Sequence, residues 1–205
     1  MSSKLTVTTL LFNQFELLDA FGPLEMFGVL NNDYQLKLVS ETGQPVASAQ
    51  GPQIMVDHSF QDSFHSDILL IPGGIGTRVE VESLKVLSWL QKTAAQTQYL
   101  CSVCTGAALL ANAGLLENRS ATTNKKNYHW VTRFGNDVNW QPVARWVQDG
   151  DVFTSSGVAA GIDMTLALIG HLHGEEVARK VAIHAEYLWQ NDPRDDPFAP
   201  LHIVR

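Results

Sequence analysis

Residues 99–116, YLCSVCTGAALLANAGLL, place an apolar strand directly before a helix of small residues. We predict a buried strand from Tyr99 to Val103 and a helix from Thr105 to Leu116 that closes at Gly114. Cys104 then occupies the turn between them, which has the geometry of a nucleophile elbow. Such a turn directs a side chain outward at the carboxyl end of the sheet, where open α/β folds bind ligands.

The alternation of apolar strand and helix continues on both sides of this stretch. Residues 67–72, DILLIP, form a continuous apolar run that is typical of a strand buried on both faces of a parallel sheet. The pattern predicts a single domain over residues 1–205, an α/β three-layer sandwich around a mostly parallel, flavodoxin-like sheet. The other predicted elements are strands at 4–12, 34–41 and 54–57, helices at 17–30, 81–95, 162–172 and 175–190, a hairpin at 143–155, and an extended tail from residue 191.

Composition argues against several classes of protein. The 205 residues are 45% hydrophobic and 17% charged, which provides enough apolar surface for a sizeable core. A formal net charge of −7, with no basic cluster denser than Lys125-Lys126, argues against nucleic acid and anionic membranes as partners. No apolar run reaches the roughly 18 residues of a membrane span, and the start of the chain is too threonine-rich for a signal peptide. We therefore expect a cytoplasmic protein.

Cys104 is the candidate nucleophile. At the start of a helix, unsatisfied N–H groups and the helix dipole favour a thiolate and lower its pKa. The alternative is a small buried hydrophobic residue, which is the commoner role of a free cysteine. A disulfide with Cys101 is not expected, because three residues of extended chain separate the two Cα atoms by about 10 Å. Zinc is not expected either, because the sequence offers no second pair of ligands at suitable spacing.

Two further motifs lie where they can approach Cys104. Gly73 and Gly74 end the 67–72 strand, and the N–H groups of Gly74 and Thr105 could together form an anion pocket beside the sulfur. A simple tight turn is the alternative for these glycines. Asp19 lies among apolar residues, where burial raises a carboxyl pKa and makes it a possible proton donor. Its alternative role is that of a helix N-cap.

Taken together, these motifs resemble the ThiJ/PfpI superfamily, whose fold is the class I glutamine-amidotransferase-like α/β sandwich. The resemblance covers nearly the whole chain and is most similar to the isonitrile hydratase branch. The motifs that carry it are Leu18-Asp19-x-x-Gly22-Pro23-x-Glu25, Pro72-Gly73-Gly74, Ser102-Val103-Cys104-Thr105-Gly106-Ala107, Ala113-Gly114-Leu115-Leu116, Ala121-Thr122-Thr123 and the run from Thr154 to Asp163.

The resemblance implies roles for particular residues. Cys104 matches the reactive cysteine, and Asp19 matches the acidic residue that hydrogen-bonds its sulfur. Gly74 and Thr105 match positions whose backbone amides face the site, and with Gly73 and Asn124 they make up the expected oxyanion or substrate-binding set. The resemblance also implies a homodimer. No metal and no cofactor are expected.

One position departs from the family pattern. Many relatives have Thr-Thr-His where this chain has Thr122-Thr123-Asn124, so the histidine that pairs with the cysteine in family hydrolases and glyoxalases is absent. His129 could replace it only if the local chain path differs. The absence disfavours mechanisms that need a Cys-His pair.

We therefore expect an enzyme that acts on a small electrophilic carbon, a hydro-lyase that hydrates an isonitrile to an N-substituted formamide. The alternatives are a glyoxalase or deglycase acting on dicarbonyls, and a non-enzymatic redox sensor or stress protein in which Cys104 is oxidised. Similar domains precede helix-turn-helix modules in transcription regulators, but no basic module follows here, which favours a stand-alone enzyme with a small-molecule substrate.

Overall fold

The computed structural model describes residues 4–203, and a seven-stranded sheet lies at its centre. Its strands are β1 (Leu5–Leu10), β2 (Tyr34–Ser40), β5 (His58–Ser59), β6 (Ile68–Ile71), β7 (Tyr99–Val103), β10 (Trp146–Asp149) and β11 (Val152–Ser155). They lie in the order β10-β11-β7-β6-β1-β2-β5, parallel throughout except for the antiparallel hairpin of β10 and β11. Two small sheets pair β3 (Val46–Ala47) with β4 (Gln53–Ile54) and β8 (Ser120–Ala121) with β9 (Asn139–Trp140).

Helices cover both faces of the central sheet. They are α1 (Leu17–Val29), α2 (Thr77–Glu80), α3 (Leu84–Ala94), α4 (Gly106–Asn112), α5 (Tyr128–Val131), α6 (Ala160–His173), α7 (Glu175–His184) and α8 (Ala199–His202), with a 3₁₀ turn at Thr132–Phe134. Helices α1, α6 and α7 pack together on one face, and α3 and α4 pack together on the other. Within residues 4–203, no helix is long and apolar enough to cross a membrane.

The alternation along β6 explains why the sheet is covered on both sides. Ile68 and Leu70 belong to the core under α6, whereas Leu69 and Ile71 belong to the core under α3 and α4. Successive side chains of a strand point to opposite faces, so a continuous apolar run needs a core on each side. The predicted three-layer α/β sandwich around a mostly parallel sheet is confirmed.

The order of strands brings the predicted motifs together. Strands β6 and β7 are parallel neighbours, with Ile71 opposite Ser102, so the glycines after β6 and Cys104 after β7 leave the sheet side by side. Strand β1 lies on the other side of β6, and the chain that follows it leads into α1 and Asp19. The carboxyl ends of three adjacent strands therefore meet at one edge.

The predicted strand at 54–57 is wrong as an edge of the main sheet. Gln53–Ile54 pairs instead with Val46–Ala47 in a separate hairpin, and His58–Ser59 forms the sheet edge. The reason is the Asp57 side chain, whose carboxylate accepts the Leu38 N–H at 2.8 Å and so takes the place of a strand carbonyl.

Two predicted helices are shorter than expected. The helix predicted at 105–116 ends at Asn112, because Gly114 adopts a left-handed conformation with φ 76° and reverses the chain. The helix predicted at 175–190 ends at His184, where Glu186 is left-handed with φ 49°. Residues beyond it turn inward, and the Tyr187 hydroxyl donates a hydrogen bond to the buried Asp163 carboxylate at 3.0 Å.

The prediction of an extended tail is also wrong. Asp196 is buried and lies 3.8 Å from Arg145 and 3.9 Å from the buried Lys125 ammonium. After this anchor the chain forms the short helix α8, which carries Phe198 at its start. An ion cluster that is removed from water therefore fixes the tail, and its last two residues lie outside the described part of the chain.

Candidate functional site

Cys104 occupies a strained turn between β7 and α4. Its φ is +56°, a left-handed conformation that costs a non-glycine residue about 1–3 kcal/mol. The Cys104 N–H donates to the Ser156 carbonyl at 3.0 Å, and the Cys104 carbonyl accepts from the Thr123 hydroxyl at 2.8 Å. These contacts from two neighbouring loops hold the turn in its strained form.

Gly106, two residues after Cys104, has to be glycine for this turn to fit. A Cβ added to Gly106 would lie 2.3 Å from the Ile71 carbonyl oxygen, closer than atoms can approach. The small residues of α4 thus let the helix start directly against the end of β6. The sequence predicted this elbow from the same small residues.

Asp19 is fully buried near the start of α1 and faces the elbow. Its Oδ2 accepts the Gly73 N–H at 2.8 Å, and its Oδ1 is buried without a hydrogen-bond partner in the described structure. A Cβ on Gly73 would lie 2.8 Å from this carboxylate and 2.6 Å from the Thr105 nitrogen, so only glycine fits between them. Asp19 is therefore held in place by a buried backbone amide.

Burial sets the protonation behaviour of Asp19. It raises the pKa of the carboxyl from 3.8 to about 7, against the opposing effect of the Gly73 hydrogen bond. The nearby Glu16 charge raises this pKa further, and the Cys104 thiol lowers it. The carboxyl can thus gain or lose a proton near neutral pH.

The position of Cys104 before a helix predicts a lowered pKa and a thiolate, but the pKa of this thiol is raised in the structure. Its exposed fraction is 6%, and burial followed by the Asp19 charge raises the pKa of the thiol well above its usual value. Hydrogen bonds from the Thr105 and Val158 N–H groups and the Thr105 side chain oppose this rise. The helix start alone does not overcome desolvation, and the thiol and the carboxyl titrate as a coupled pair.

Gly74 and Thr105 form a hydrogen-bonded support behind the sulfur. The Gly74 N–H donates to the Thr105 hydroxyl at 3.0 Å, and the Thr77 hydroxyl lies 3.1 Å from the same oxygen. Gly74 has φ +123°, and a Cβ there would lie 2.4 Å from the Glu16 nitrogen. The Thr105 amide faces Cys104, whereas the Gly74 amide is used to orient the Thr105 hydroxyl.

Val158 is the feature of this site that the sequence did not indicate. It is left-handed, with φ +44°, although a β-branched residue strongly disfavours that conformation. Its N–H lowers the pKa of the Cys104 thiol and so supports the negative form of the sulfur. Nothing in the composition of the 154–163 run could have singled out Val158 over its neighbours.

Asn124 lies on the other side of the Val158 loop. Its Oδ1 accepts hydrogen bonds from both the backbone and the side-chain nitrogen of Asn127 at 2.9 Å each. Its Nδ2 lies against Gly157, where an added Cβ would approach to 2.4 Å. A cavity of about 320 Å³ is lined by Asn124 and Val158 together with Phe198 and His202 of the anchored tail.

The remaining candidates lie apart from this pair. Cys101 is 1% exposed inside β7, and burial raises the pKa of its thiol. Both cysteines are free, as expected from the spacing. His129 lies on α5 with its ring edge-on to Tyr128, 5.9 Å between ring centroids. Across residues 4–203 no three potential ligands cluster in a way that could hold a metal ion.

Comparison with known proteins agrees with this arrangement. The chain is 36% identical over 184 residues to the isonitrile hydratase of Pseudomonas putida, covering 89% of this chain and 78% of that protein. It is 31% identical over 196 residues to the HTH-type transcriptional regulator GbdR of Pseudomonas aeruginosa, covering 93% of this chain but 52% of the regulator. The chain thus corresponds to about half of that regulator.

A solved structure shows the same fold over almost the full length. The crystal structure of a ThiJ/PfpI family protein from Pseudomonas syringae superposes with a TM-score of 0.83 at 28% identity, covering 98% of this chain and 84% of that one. The family model described as the DJ-1/PfpI family matches residues 5–171. The chain therefore belongs to the DJ-1/PfpI family.

Proposed function

We propose that the protein is a cysteine-dependent enzyme that hydrates an isonitrile to an N-substituted formamide. The observation that carries the proposal is the burial of Cys104 together with Asp19, a carboxyl whose pKa of about 7 lets it exchange a proton near neutral pH. The 36% identity to an isonitrile hydratase supports the same reaction. The proposal includes a small-molecule substrate and a cytoplasmic location.

The first step needs both a nucleophile and a proton. Asp19 in its carboxylate form takes the thiol proton of Cys104, and the resulting thiolate attacks the terminal carbon of the isonitrile. A sulfur–carbon bond forms, and the Asp19 carboxyl returns the same proton to that carbon. The product of this step is a thioimidate on Cys104, with Asp19 again a carboxylate.

The second step consumes water. The Asp19 carboxylate takes a proton from a water molecule as its oxygen attacks the thioimidate carbon, and the protonated carboxyl passes that proton to nitrogen. The tetrahedral intermediate then collapses with cleavage of the carbon–sulfur bond. The leaving sulfur ends as the thiol by taking the remaining hydroxyl proton, and the N-substituted formamide is released.

Backbone amides support the charged sulfur through both steps. The Thr105 and Val158 N–H groups face it, so they stabilise the thiolate as it forms and again as it leaves. Gly73 fixes the Asp19 carboxylate, and Gly74 fixes the Thr105 hydroxyl. Asn124 then serves to shape the cavity and carries no proton in this mechanism.

The test is steady-state turnover on a panel of alkyl and aryl isonitriles, with the formamide followed by NMR. We expect formamide to appear with the wild type and to be absent with Cys104→Ser, because oxygen is a far weaker nucleophile at neutral pH. Cys101→Ala is the matched control, since it removes the other buried thiol and should retain turnover. Formamide production by Cys104→Ser at the wild-type rate would refute the proposal.

We also propose a homodimer. A groove beside α1 is lined by apolar side chains of that helix and of β2, including Phe21, Val29 and Leu36. Most other apolar residues of α1 are buried within the chain itself, so this groove is the part of the helix left for a second copy. Light scattering tests this directly.

A further inference from the structure

Arg78 is an exposed cation beside Asn127 that no carboxylate neutralises in the described structure. Its Nη2 donates a hydrogen bond to the Asn127 Oδ1 at 2.9 Å, and its guanidinium carbon lies 3.7 Å from the ring centroid of Trp130. The arginine ion pairs found among residues 4–203 belong to other arginines. An arginine with five N–H donors and one such hydrogen bond keeps donors for a ligand.

Arg78 is linked through its neighbours to two segments near Cys104. Thr77, the preceding residue, bonds to the hydroxyl of Thr105, which directly follows Cys104. On the opposite side, Asn127 holds Asn124, whose amide packs against the loop that carries Val158.

The negative form of Cys104 acts on the pKa of Arg78. Partial burial lowers the pKa of Arg78, and the interaction with Cys104 opposes that change, which places the two groups within electrostatic reach. A guanidinium stays protonated throughout the pH range of folded proteins. The aromatic face of Trp130 and the Asn127 amide hold this permanent cation in one orientation.

We propose that Arg78 binds a carboxylate on the substrate, so that the preferred substrate is a small molecule carrying an anionic group beside its reactive carbon. The planar guanidinium fork suits a carboxylate, and a chain with net charge −7 needs such a local cation to attract an anion. The isonitrile identity of the substrate rests on the proposed function, whereas the preference for an anion near Cys104 does not.

The anion preference can be measured by alkylation of Cys104 with iodoacetate and with iodoacetamide, which differ in charge. The measured quantity is the second-order rate constant for iodoacetate divided by that for iodoacetamide. A change in the thiolate population alters both rate constants by the same factor and therefore cancels in this ratio. We expect Arg78→Gln to lower this ratio about tenfold, Arg78→Lys to lower it less, and added salt to lower it in the wild type. Lys92→Gln removes a positive charge from an exposed position on α3 and should leave the ratio unchanged.

An equal ratio in the wild type and in Arg78→Gln, both showing the same circular dichroism spectrum, would overturn the proposal. Should Arg78→Gln fail to fold, the Arg78→Lys ratio and the salt dependence of the wild-type ratio decide the question, and a ratio insensitive to both contradicts it.

A second comparison separates this proposal from the reaction. Isocyanoacetate and its methyl ester are compared as substrates, and we expect the ratio of their kcat/KM values to fall about tenfold in Arg78→Gln. If neither isonitrile is hydrated but the alkylation ratio depends on Arg78, the reaction is wrong and the anion site stands. If both are hydrated with a ratio that Arg78→Gln does not change, the anion site is wrong and the reaction stands.

Discussion

Asp19→Asn should change how the stability of the protein depends on pH. The Asp19 carboxyl has a pKa of about 7 in the folded chain and 3.8 as the ordinary value, so the folded state binds more protons than the unfolded state between these two values. The contribution of a raised pKa is fully present below the unfolded value and is lost as the pH rises through the folded value. The wild type should therefore lose stability from about pH 4 to about pH 7.

The size of this loss follows from the shift. A shift of about three units at 1.36 kcal/mol per unit gives roughly 4 kcal/mol in all, of which about 2 to 3 kcal/mol falls between pH 5 and pH 8. Asn keeps an oxygen that can accept the Gly73 N–H, but it does not titrate. The Cys104 thiol stays protonated over this range because its pKa is raised, so it does not affect the comparison.

Urea unfolding of the wild type and of Asp19→Asn at pH 5 and pH 8 measures the effect. We expect the wild type to lose about 2 to 3 kcal/mol more than the variant between the two pH values. Asp62→Asn serves as the control, because the Ser59 N–H lowers the pKa of the exposed Asp62 carboxyl, whose small contribution is lost only below about pH 4; this variant should show the same change as the wild type between pH 5 and pH 8. Parallel stability profiles for the wild type and Asp19→Asn would refute a raised Asp19 pKa.

Four further outcomes are expected. Iodoacetamide should label Cys104 before Cys101, because Cys101 is sealed inside a strand; peptide mapping that finds Cys101 labelled first would contradict the site. Asp19→Asn should lower isonitrile turnover by about 10²- to 10⁴-fold, as loss of a general acid does, and unchanged turnover would make Asp19 a helix cap. Asn124→Ala should lower isonitrile turnover only about two- to tenfold. Asn124→His should raise the rate of methylglyoxal conversion. If the wild type converts methylglyoxal faster than any isonitrile, the hydratase assignment is wrong. Light scattering at micromolar concentration should show a dimer, and a monomer would remove that claim.

The arrangement around the elbow could be predicted because local patterns determine it. The apolar run before Cys104, the small residues after it and the paired glycines after β6 each constrain the backbone within a few residues. Parallel pairing then makes their meeting at one sheet edge a matter of topology.

The electrostatics of the site could not be read in the same way. The position of Cys104 before a helix predicts a lowered pKa, but the pKa depends on desolvation by groups that are distant in sequence and on the charge of Asp19. Val158 could not be identified from the sequence for a related reason. Surrounding contacts impose its left-handed backbone conformation, which a β-branched residue disfavours. The end of α7 likewise depends on the buried Asp163 carboxylate, which draws the following residues inward.

The Cys104 thiol and the Asp19 carboxyl are buried together, and their total charge stays constant through the proposed reaction cycle. Thiol with carboxylate, thiolate with carboxylic acid, and thioimidate with carboxylate all carry the same total charge of minus one. The surrounding dipoles, including the Gly73, Thr105 and Val158 amides, therefore never have to reorganise around a newly created or vanished charge. A site of fixed total charge can thus remain rigid while the negative charge moves a few ångströms between sulfur and oxygen.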